Sequence, residues 1–156
     1  MGSLKVWNGT AWETASAQGP AGTSGTGGST LLAYADGTAA QSWVAGGNVL
    51  LATTAPVVVP AGRRIELSGG CTGILKADAT GPVNILVADT TSAYTISGVF
   101  TFDLSAGGYG QLSASRVFTS VAGTFTFRTR LSSTVGGGSV PSGYVYWTKL
   151  MDLGPA

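Results

Sequence analysis

Thr124-Phe125-Thr126-Phe127-Arg128-Thr129-Arg130-Leu131 is the stretch whose pattern decides the fold. Successive residues of an extended chain point to opposite sides. Phe125, Phe127 and Leu131 then face one way, and Thr124, Thr126, Arg128 and Arg130 the other. That alternation predicts a strand with one buried and one polar face. Phe100-Thr101-Phe102-Asp103-Leu104 repeats it on a smaller scale, and Val57-Val58-Val59, Pro60-Ala61-Gly62 and Arg63-Arg64-Ile65-Glu66-Leu67 read as strand, turn, strand. Further strands are predicted at Val49–Thr53, Gly73–Lys76, Val83–Ala88, Gln111–Thr119 and Tyr144–Leu150. Turn signals at Gly69-Gly70, Thr80-Gly81-Pro82, Ala106-Gly107-Gly108 and Gly136-Gly137-Gly138 separate them. About eight strands at spacings of about ten residues predict an all-β sandwich or jelly roll over residues 31–156.

Composition points the same way. With 25 Gly and 20 Thr in 156 residues, helices would form badly, because Gly destabilises them and Thr is stiff at χ1. Charged residues make up 10%, against roughly 25% in ordinary soluble domains, and the net charge is +1. No basic surplus is present to neutralise phosphates, so nucleic acid is not the expected partner. No run of 18 apolar residues exists, and membrane insertion through a helix is not expected. Met1 to Lys5 lacks the charged and apolar regions of a signal peptide. The single cysteine, Cys71, has no partner for an internal disulfide, so the core alone must hold the fold.

Two short segments precede the sandwich. Residues 1–17 contain Lys5-Val6-Trp7-Asn8-Gly9-Thr10-Ala11-Trp12, in which Asn8-Gly9 between β-prone runs is a strong hairpin signal. With Asn8 and Gly9 as the loop, Trp7 lies opposite Thr10 and Lys5 opposite Trp12, which puts two indoles and an ammonium on one face. A lone two-stranded hairpin is marginal in water. Its tryptophans must be covered by this protein's own domain, by its oligomer, or by a different protein into which the hairpin anchors. Residues 18–30 hold no large side chain and place Gly19, Gly22, Gly25 and Gly28 at a period of three. Only glycine fits the axis of a collagen triple helix, so this spacing suits a three-chain neck. An extended flexible linker is the alternative.

Chemistry finds little footing. The chain has no histidine, which removes the commonest general base and metal ligand together. Gly69-Gly70-Cys71-Thr72-Gly73 has the spacing of a nucleophile elbow, but no helix or histidine accompanies it, and a buried inert thiol is the expectation. Glu13, Asp36, Glu66, Asp78, Asp89, Asp103 and Asp152 are scattered singly, most beside turns where Asp caps backbone. No catalytic residue, metal site or cofactor is expected. Arg128 and Arg130 can meet an acidic partner or simply protect a sheet edge. Tyr144, Tyr146 and Trp147 are apolar on both sides of their strand, one of which is available as a subunit interface.

Three stretches together resemble the virion structural proteins of tailed bacteriophages. The Lys5–Trp12 unit is similar to a module near the ends of such proteins, especially from phages of actinobacteria. The Gly19-Pro20-Ala21-Gly22 segment is similar to the collagen-like linkers of phage fibres. The run from Val57-Val58-Val59-Pro60-Ala61-Gly62-Arg63-Arg64 through Thr124-Phe125-Thr126-Phe127-Arg128 to Asp152-Leu153-Gly154-Pro155-Ala156 resembles the tumour-necrosis-factor-like jelly roll that closes many minor tail proteins. The resemblance implies a non-enzymatic homotrimer located on the virion. Its hairpin would attach to other virion proteins, and its jelly roll would face outward and contact the host surface. The collagen-like stretch is shorter than in true fibres, which implies a compact knob and leaves a capsid decoration or head-fibre position open beside the tail tip. Jelly rolls also bind sugars, so a carbohydrate-binding module that takes a host surface glycan is a further alternative.

Overall fold

The computed structural model describes residues 5–7, 12–14, 29–76, 78–90 and 97–156. Every element is a strand: β1 (Lys5–Trp7), β2 (Trp12–Thr14), β3 (Thr30–Gly37), β4 (Gln41–Trp43), β5 (Asn48–Thr53), β6 (Val57–Val59), β7 (Arg63–Lys76), β8 (Gly81–Asp89), β9 (Ser97–Leu104), β10 (Tyr109–Thr119), β11 (Gly123–Phe125), β12 (Phe127–Ser132), β13 (Gly138–Val140) and β14 (Tyr146–Pro155). All pairing is antiparallel. One sheet runs β3-β14-β7, with β10 on the far side of β7 and the short β13 and β4 continuing beyond the end of β14. The other runs β5-β12-β8-β9. The chain passes from one sheet to the other and back, so the eight long strands form a β-sandwich of jelly-roll order, as the resemblance implies.

The core fills the space between these sheets. Ile65, Leu67, Cys71 and Ile74 of β7 meet Val83, Ile85 and Val87 of β8, Phe127 and Leu131 of β12 and Leu150 of β14, all without solvent exposure. Burying each Leu, Ile or Phe contributes about 1.5–3 kcal/mol. Two polar groups stitch the layers together. The Thr148 hydroxyl donates to the Ala52 carbonyl at 3.0 Å, and the Thr129 hydroxyl is shared between Thr148 Oγ1 (2.7 Å) and the Trp147 carbonyl (2.8 Å). Lys76 is also fully buried, its ammonium donating to Ser133 Oγ at 2.6 Å and to the carbonyls of Val135 and Gly136. Those bonds supply the oxygen partners that a buried charge requires.

Several sequence expectations need correction. Residues 124–131 are not one strand. Thr126 lies between β11, which pairs with β6, and β12, which lies between β5 and β8. Phe125 and Phe127 nonetheless keep one side, with ring centroids 6.0 Å apart. Gly69-Gly70 is no turn but the middle of the 14-residue β7. A Cβ on Gly69 would strike the Thr129 hydroxyl, one on Gly70 the Trp147 indole, and one on Gly73 the Tyr144 ring. These glycines are there for close approach, not for chain reversal. Gly136 does turn, at φ +68°, but Gly138 opens β13 beneath the Trp43 indole. Tyr144 is not in a strand either: Gly143, at φ +92°, turns the chain, and β14 starts at Tyr146. Arg128 and Arg130 sit on a central strand, so edge protection is not their role. β3, β4 and β13 carry no alternation strong enough to have been predicted.

Candidate functional site

The outward face of the β3-β14-β7-β10 sheet gathers side chains that the chain keeps far apart. The ladder registers place them in three rows. Tyr34, Lys149, Ser68 and Ser115 form one, and Asp36, Trp147, Gly70 and Ser113 the next. Leu31, Met151, Glu66 and Val117 form the third. Alternation is the cause: with Ile65, Leu67, Thr148 and Leu150 turned into the core, their neighbours must point out. Glu66, Ser68, Trp147 and Lys149 border a groove of about 520 Å³ together with Ser113 and Ser115 of β10 and Val99 and Phe100 of β9.

Gly70 shapes this groove. The six-membered ring of Trp147 reaches over it, across β7 toward β10, a position that any side chain at 70 would take away. Ser68 Oγ is shielded from solvent and has no hydrogen-bond partner among the described residues. No ion pair joins Glu66 and Lys149, so both charged ends stand beside the hydroxyls with their bonding capacity unspent. At the open end, the Tyr34 hydroxyl donates to Asp36 Oδ2 at 3.4 Å. The arrangement can hydrogen-bond a polar molecule at several points and offer it the rings of Trp147 and Phe100.

The residues singled out from the sequence lie elsewhere, with one exception. Trp147 lines the groove, whereas Tyr146 is a core residue, 4% exposed, whose hydroxyl accepts from Gln41 Nε2 at 3.4 Å. Tyr144 packs over Gly73 at the far end of the sheet. The three therefore do not form one patch. Lys5, Trp7 and Trp12 belong to a separate two-stranded ladder. Its register pairs Trp7 with Trp12 and Lys5 with Thr14, not Trp7 with Thr10 as the two-residue loop required. Asn8, Gly9, Gly19, Gly22, Gly25 and Gly28 lie outside the described residues.

Cys71, Asp78 and Asp152 each bond within the fold. The Cys71 thiol is buried in β7, donates to the Gly73 carbonyl at 3.2 Å, and is pushed up in pKa by that burial. Asp78 accepts from the Gly137 N–H at 2.6 Å, a turn cap of the expected kind. Burial alone would raise the Asp152 pKa. The bonds from Arg63 Nε (2.9 Å) and the Gly154 N–H (2.8 Å), with the guanidinium charge, outweigh it and hold the carboxyl below its ordinary value. Among the described residues no group of three or more Cys, Asp or Glu gathers to hold a metal.

No protein-family model matches the chain, and no curated protein matches it. Among the solved structures with a distant likeness, two can be described. One is that of infectious bursal disease virus, Gx strain, at 10% identity and a TM-score of 0.46; the match takes in 100% of this chain and 47% of the viral one. The other belongs to the Bacillus endospore appendages, described as disulfide-linked pili, at 13% identity and a TM-score of 0.29 over 82% of this chain and 92% of that one. This chain thus spans about half the length of the viral protein. Neither overlap is close enough to carry an argument about function.

Proposed function

We propose that this chain is a non-enzymatic structural protein of a tailed-phage virion. It is a homotrimeric minor tail or tail-tip knob whose sandwich faces outward and whose N-terminal hairpin docks on another virion protein. The observation that carries the reading is the β1-β2 ladder. It forms a sheet of its own, separate from the ladders of the sandwich, and aligns Trp7 with Trp12. A single two-stranded ribbon with three residues per strand cannot sustain itself in water, so a partner surface is required. The triplet glycines at 19, 22, 25 and 28 support three chains over two.

Docking through the hairpin is testable on particles. Virions assembled with the Trp7→Ser/Trp12→Ser double variant should lack the protein on a denaturing gel, while the free variant keeps the thermal transition of the parent. Particles that retain the variant in full amount would contradict the anchoring role.

A further inference from the structure

We propose that the groove on the outer face of the β3-β14-β7-β10 sheet is a saccharide-binding site, with Trp147 as its stacking surface. The lining chooses the class of ligand. The exposed Ser113 and Ser115 supply hydroxyls, Glu66 an acceptor, and Lys149 a donor, all around the Trp147 indole. A sugar ring needs that combination, because its C–H face packs on an aromatic while its hydroxyls both donate and accept. The volume, about 520 Å³, is within the range of small-ligand sites.

The same residues argue against other occupants. One lysine against one glutamate gives no net field for a phosphate chain or an acidic polymer. An apolar face of a second copy would leave the serines and both charges buried and unpaired, which is costly. Gly70 shows that the site is shaped: with any larger residue there, the Trp147 ring could not lie across β7.

The site rests on the reading of the sandwich as the outward-facing, host-contacting part of the protein, and the two can fail separately. The full-length protein is titrated with maltoheptaose, cellohexaose and chitohexaose by calorimetry, covering α-linked, β-linked and amino-sugar chains. Saturable binding of at least one is expected, weakened tenfold or more by Trp147→Ala. Ser115→Trp, at an exposed position on the groove wall, should abolish it and keep the thermal transition; this variant decides the matter where Trp147→Ala fails to fold. No binding of any of the three, or unchanged binding in Ser115→Trp, overturns the site. A trimer that ignores all three sugars would sink the site alone, whereas a monomer that binds one would sink the trimeric virion reading alone.

Discussion

Along β14, Tyr146, Thr148, Leu150 and Asp152 turn inward and are buried, whereas Trp147, Lys149 and Met151 turn outward and stay partly exposed. The same division runs along the first half of β7, with Ile65 and Leu67 inside and Glu66 and Ser68 outside. One backbone thus serves two environments at 3.3 Å per residue or so, about the rise of any strand. Inside, every side chain has fixed neighbours, and a change disturbs both sheets. Outside, the neighbours are water and a groove. The inner face sets stability, and the outer face is free to set what the molecule binds.

The sharpest way to break this contrast is to exchange charges between the faces. Tyr146→Asp puts a carboxylate among core groups and should cost about 4 kcal/mol or more, enough to unfold a domain of ordinary stability. Lys149→Gln, three positions along on the other face, should stay within about 0.5 kcal/mol. Urea unfolding of both variants checks this, and equal losses would erase the distinction.

Adjacent glycines sharpen it next. Gly69→Ala points its Cβ at the Thr129 hydroxyl and Val87, inside the sandwich, and should cost about 3 kcal/mol. Gly70→Ala points outward at the Trp147 ring, which can swing away, and should cost about 1 kcal/mol. Thermal melts of the pair should rank them in that order. Gly70→Ala losing as much as Gly69→Ala would mean that the indole is held as firmly as the core.

Asp152 tests the edge between the two environments. Its folded pKa is depressed, so its contribution is present above the unfolded value, about 3.9, and is lost as pH falls through the lower folded value. Arg63 is partly open to solvent, so the pair is screened, and Asp152→Asn should cost about 1 kcal/mol at pH 7. Urea curves for parent and variant should converge at pH 2 to 3. A gap that persists there would assign the loss to packing instead of charge.

How much of this was legible in the sequence follows the same contrast. Alternation in Arg63–Leu67 and Phe127–Leu131 marks strands because one face of each is buried, and burial demands an apolar period of two; Phe100–Leu104 is a strand as well, but Phe100 and Phe102 stay exposed and only Leu104 is buried. Gly69-Gly70 misleads because glycine has two uses, and only the positions of Trp147 and Thr129, some 60 to 80 residues away, show that it is making room. Tyr146 and Trp147 look equivalent in sequence, yet one is core and the other groove wall. The outer-face site was invisible for a related reason. Ser68, Ser115 and Lys149 become neighbours only through the order β14-β7-β10, and that order depends on crossovers no local pattern encodes. The hairpin lay within reach of its Asn-Gly signal, but its register did not, since loop length is chosen by the ladder as a whole.

The proposed role stands or falls most directly on solution mass. Light scattering of the full-length chain after size exclusion should give three times the 15.6 kDa chain mass, for a knob built on a three-chain neck. A mass of one chain across the concentration range would contradict it, leaving the glycine triplets as a linker and the sandwich as a monomeric module.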